Sequence, residues 1–96
     1  MTVVALTTDL MDRSKLSAAI PGIGFALTDD ADVVIVDLGR GVEQVAQVRA
    51  SHPSARIVAY GPHVEHFDDV DADLVLPRSK FFRDPASAVF GPDAPL

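Results

Sequence analysis

The chain has no cysteine, only two glutamates among its fourteen acids, and no long apolar run. Without thiols there is no disulfide framework, no thiolate zinc site and no cysteine nucleophile. Crossing a bilayer takes about 20 consecutive apolar residues, and no stretch approaches that. The opening apolar residues carry no basic flank and meet polar Thr7-Thr8-Asp9 too soon for a signal peptide, so a cytoplasmic location is expected. A glycine-rich phosphate cradle is also missing, which removes support for nucleotide hydrolysis. Bases are scarce, eight against fourteen acids for a formal charge of −6. Non-specific nucleic-acid binding relies on Lys and Arg to displace counterions. Neither nucleic acid nor membrane is therefore expected as a partner.

What is present is a 96-residue chain with 48% hydrophobic and 23% charged residues, the proportions of one folded domain. Twelve of the acids are Asp, a residue suited to caps and turns more than to helix faces. Val3-Val4-Ala5-Leu6 is a short apolar run of the kind a buried parallel strand shows. Thr8 or Asp9 can cap the helix that follows over residues 10–20, where Leu16, Ala19 and Ile20 recur at helical spacing and Pro21-Gly22 ends the pattern. Asp9 and Asp12 suit the positive end of its dipole. Residues 23–27 form a weaker strand, followed by an acidic connection over 28–32. Val33-Val34-Ile35-Val36 is the strongest strand and closes on Asp37.

Val42, Val45, Ala46 and Arg49 then step at helical spacing until His52-Pro53. Arg56 to Tyr60 reads as a strand broken by Gly61-Pro62, residues 63–70 as a helical stub, and Leu74-Val75-Leu76 as a last strand halted by Pro77. The alternation predicts an α/β fold around a parallel sheet of four to five strands. The domain is expected over residues 1–83, with a proline-rich tail over 84–96 that frames one helical turn near Pro85.

In such sheets functional groups collect at the carboxyl ends of the strands. That rim would hold Thr7, Thr8, Asp9, Asp37, His63, Arg78, Ser79 and Lys80. Val33-Val34-Ile35-Val36-Asp37-Leu38 resembles the phosphoacceptor strand of a response-regulator receiver domain, in which an Asp closes the third strand. Asp73-Leu74-Val75-Leu76-Pro77-Arg78 is similar to the last receiver strand, with Arg78 in place of the family's Lys. Segments around Tyr60-Gly61-Pro62-His63 and Ser79-Lys80-Phe81 also resemble small receiver-like bacterial proteins. The likeness covers roughly residues 3–81 and implies a doubly wound, flavodoxin-like arrangement with reduced helices. It implies a signalling module and, were Asp37 a working phosphoacceptor, Mg²⁺ as cofactor.

The departures argue against phosphoryl transfer. Receivers place two adjacent acids after the first strand to hold Mg²⁺; here Thr7 and Thr8 stand there, or Thr8 and Asp9. One carboxylate with threonines is a poor octahedral site. Tyr60 or Gly61 replaces the receiver hydroxyl residue, and Ser79 its proline. Asp37 is thus read as a relic acceptor or a cap. Asp9, Asp37 and His63 would suit a divalent transition metal, although a structural His63 is the simpler reading. His52 is expected to be exposed, and His66 sits three residues from His63. Asp69, Asp71 and Asp73 fail as a calcium loop, with Leu74 where glycine is needed and Lys80 where glutamate is. Asp37, His63 and Ser79 lack the elbow and oxyanion hole of a hydrolase. Residues 78–83 join three bases to two phenylalanines, an anion site or, more simply, packed rings with solvated charges.

No catalysis is expected. The leading expectation is a non-catalytic, receiver-like interaction module, with small-ligand or metal binding at the rim as the alternative. Two good helices cannot cover both faces of such a sheet. A homodimer is therefore expected to bury the remainder, or a protein partner to dock on it.

Overall fold

The computed structural model describes residues 1–62 and 70–91. The strands are β1 (Val3–Leu6), β2 (Val33–Asp37), β3 (Arg56–Gly61) and β4 (Leu74–Pro77). The helices are α1 (Leu10–Ala19), α2 (Glu43–Ser51), α3 (Arg78–Arg83) and α4 (Pro85–Phe90), with a short 3₁₀ turn at Leu38–Arg40. All four strands run parallel in the order β1-β2-β3-β4.

The continuous apolar runs are explained by helices on both faces of the sheet. Alternate residues of each strand point to opposite sides, and the core divides accordingly. Val3, Ala5, Val33, Ile35, Val58 and Tyr60 pack with α1, α3 and α4. Val4, Val34, Val36, Ile57 and Ala59 pack with Val45 and Val48 of α2. Val33, Val34, Ile35 and Val36 are all essentially inaccessible.

Helix α1 begins where its sequence signal lies. The Asp9 carboxylate accepts from the Met11 and Asp12 N–H groups at 2.9 and 3.0 Å, satisfying two of the donors that every helix start leaves open. Pro85 opens α4 behind an Asp84 cap. Pro85, Ala88 and Val89 are buried against the first face, so the expected tail begins with a packed helix.

The strand expected at residues 23–27 is reduced to a single bridge. Gly24 exchanges hydrogen bonds of 2.9 Å with Val3 and Ala5 on the outer edge of β1, and pairing stops there. Beyond it Ala26 and Leu27 are exposed, so an extended strand would gain no burial. The stub expected over residues 63–70 lies, except for Val70, outside the described residues, and so do His63 and His66. Residues 78–83, read from sequence as three bases joined to two phenylalanines, form α3. Among the described residues no helix is long and apolar enough to cross a membrane.

Candidate functional site at the carboxyl rim

Thr7 leaves β1 with its side chain turned inward. Its hydroxyl donates to Asp37 Oδ2 at 3.3 Å and accepts from the Asp9 N–H at 3.3 Å. Asp37 Oδ1 accepts from the Gly39 N–H at 2.9 Å, which caps the 3₁₀ turn. Both acids of the expected rim are thus turn and helix caps. Arg13 secures the same corner, donating from Nε to the Thr7 carbonyl at 2.7 Å while its guanidinium lies over the Phe25 ring.

A two-pronged ion pair involves Asp12, whose place in the first turn of α1 predicts only an interaction with the helix dipole. Asp12 is completely buried. Tyr60 donates its hydroxyl to Asp12 Oδ2 at 2.9 Å, Arg78 Nη1 donates to the same oxygen at 2.8 Å, and Arg78 Nη2 donates to Oδ1. A buried carboxylate is tolerable only when its lone pairs are matched in this way. The bond to Asp12 raises the Arg78 pKa further above its ordinary value, against a partial desolvation. Burial, above all, pushes the Tyr60 phenol well above its ordinary range, and the negative charges of Asp37 and Asp12 act in the same direction.

Aromatic rings complete the cluster. Phe81 stacks on Tyr60 with centroids 4.8 Å apart, and Phe82 meets both edge-on. The Arg78 guanidinium lies 5.0 Å from the Phe82 centroid, and Lys15 of α1 lies 5.4 Å from it. The phenylalanines of residues 78–83 therefore pack, and α3 is joined to α1 through both its arginine and its ring.

Of the eight expected rim residues, the structure connects Thr7, Asp9 and Asp37 through hydrogen bonds. It directs Arg78 to Asp12, and it leaves Thr8, Ser79 and Lys80 exposed. His63 falls outside the described residues. Among the described residues no three His, Cys, Asp or Glu side chains converge to hold a metal ion. The residue missed was Asp12. Its signal was its place four before Leu16, on the inward stripe of α1.

No family model, curated protein or solved structure gives a significant match to this chain.

The opposite end of the sheet holds a shallow concavity lined by Asp29, Asp32, Ser51 and His52. His52, expected to be exposed, is half-buried: its Nδ1 bonds Ser51 Oγ at 2.7 Å and its Nε2 bonds the Thr28 carbonyl at 2.8 Å. It ties the end of α2 to the acidic connection.

Proposed function

We propose that this chain is a non-catalytic, receiver-like interaction module. The observation that supports this is the disposition of Arg78 and Asp37. The cation at the position corresponding to the receiver lysine is engaged by Asp12, and both Asp37 oxygens accept hydrogen bonds, from Thr7 and Gly39. Phosphoryl transfer to Asp37 would require those bonds to be exchanged for a metal and a phosphate, with at least one acid fewer than a receiver provides. The parallel sheet with its acid-terminated β2 is consistent with the resemblance.

Such a module acts through surface. Among the described residues strand β4 is an edge of the sheet and only half-buried along its length, and Val42 and Phe90 are large apolar side chains left exposed. Association into a two-fold dimer through these surfaces is part of the proposal.

Incubation with acetyl phosphate and Mg²⁺, followed by intact-mass measurement, tests the reading. The expected result is no phosphoryl adduct. An adduct that disappears in Asp37→Asn would replace the proposal with a working receiver. Sedimentation at tens of micromolar tests the dimer, which a stable monomer would exclude.

A further inference from the structure

The scarce bases are unevenly placed. Five of the eight (Arg13, Lys15, Arg78, Lys80 and Arg83) lie on α1 and α3, against three acids on the same stretches: Asp12 within α1, and the exposed caps Asp9 and Asp84 directly before α1 and after α3. Asp12 is buried and bound to Arg78, while Asp9 and Asp84 are engaged by the N–H groups of the helices they cap. The two helices adjoin, since Arg78 reaches from α3 to Asp12 and Lys15 from α1 to Phe82. A chain of charge −6 thus carries one basic helical layer, with Lys15, Lys80 and Arg83 exposed on it. At the first turn of α1 that layer also exposes Leu10 and Met11, 77% and 69% accessible.

We infer that the α1–α3 layer is the docking surface for an acidic, amphipathic segment of a protein partner. This rests on the interaction-module reading and names the chemistry of the partner. Interfaces gain affinity from desolvated apolar anchors and orientation from opposed charge. Leu10 and Met11 supply the first, and the lysines and arginine the second.

Two other occupants fit less well. A second copy placed on this layer by a two-fold axis would set one group of exposed bases against the same group on its partner. A nucleic acid presents phosphates at every nucleotide, and beyond this layer it would meet a predominantly acidic surface.

The experiment uses the full chain and a fluorescent synthetic peptide in which Glu and Leu alternate at helical spacing. Binding is read by anisotropy. The peptide is expected to bind and to weaken as salt rises from about 0.1 M to about 1 M, where the screening length falls from ~10 to ~3 Å. The triple reversal Lys15→Glu, Lys80→Glu and Arg83→Glu is expected to weaken binding by roughly tenfold or more. These side chains are exposed, and circular dichroism confirms that the variant is folded. Reversal of Asp29 and Asp30 to Lys, in the acidic connection, is expected to leave affinity undiminished.

The inference is overturned if the peptide does not bind, if the triple reversal binds it equally, or if the Asp29 and Asp30 variant weakens it as much. Tighter binding of a single-stranded oligonucleotide would assign the layer to nucleic acid. Self-association abolished by the triple reversal would assign it to a second copy. Either result ends the inference. Failure here leaves the module reading intact with another face in use, whereas an adduct on Asp37 ends that reading whatever the peptide does.

Discussion

Arg78, the first residue of α3, donates two hydrogen bonds to the fully buried carboxylate of Asp12, 66 positions earlier in the chain, and so clamps α3 to α1. The two ends of this pair are unequal. The Asp12 side chain is wholly enclosed, whereas the Arg78 side chain is 40% exposed and can be hydrated if released. Removing the arginine strands a buried charge, and Arg78→Met is expected to cost about 3–5 kcal/mol in urea denaturation. Asp12→Asn should cost less, because the amide oxygen still accepts from Tyr60 and the freed arginine turns to water. In Asp12→Asn/Arg78→Met no charge is left buried, so much of the loss should be recovered. Additive losses in the double variant would show that the pair is not the clamp described.

Tyr60 permits a direct optical test of the same cluster. It is the chain's single tyrosine and there is no tryptophan, so tyrosinate absorbance reports this residue alone. The unfolded chain should titrate near the ordinary value of about 10, and the native chain well above it, because burial disfavours the phenolate. Asp12→Asn removes a neighbouring negative charge and should lower the native transition without restoring the ordinary value, since burial remains. With the folded value raised, the stabilisation is complete below about pH 10 and is lost as pH rises through the native transition. A native transition near the unfolded one would contradict the burial of this hydroxyl.

The fold was legible where one physical cause dominated. Four consecutive apolar residues, Val33 to Val36, marked a strand covered on both sides, and Asp9 stood where a helix needs acceptors. Residues 23–27 misled because their apolar content belongs to a connection that touches β1 once, at Gly24, while Ile23 and Phe25 pack inward on either side. Helix α3 is too short to show a period, and its rings take their meaning from Tyr60, some twenty positions away. The rim was half legible. Strand ends located Asp9 and Asp37, but an acid in a first helical turn has a ready dipole explanation, which concealed the burial of Asp12. The destination of Arg78 is a long-range pairing that no local pattern encodes.

At the other end of the sheet, Asp73 governs a second response to pH. Partial burial works against its charge, but the Ile57 N–H at 2.8 Å and the Arg49 guanidinium at 3.0 Å hold its carboxyl below the usual range. A lowered folded value gives stability that is present above the unfolded value of about 3.9 and lost as pH falls through the folded one. The contribution is modest, about 1 kcal/mol or less, because the side chain is 41% exposed. Asp73→Asn should therefore be slightly less stable at neutral pH and show a shallower decline between about pH 5 and pH 2. Urea midpoints measured across that range for both proteins decide this, and parallel acid limbs would exclude it.

Asp9 and Asp37 should behave alike under mutation if both are caps. Asp9→Ala loses an acceptor for two N–H groups at the start of α1, and about 1 kcal/mol is expected, typical of a lost cap. Asp37→Ala loses the bonds from Gly39 and Thr7 and should cost a comparable amount. Asp37→Asn keeps an acceptor oxygen for the Gly39 N–H, so its melting temperature should stay close to that of the parent. The comparison separates the oxygen from the charge. A loss in Asp37→Asn as large as in Asp37→Ala would mean that the negative charge itself is required at the end of β2, which a cap does not need and a cation site would.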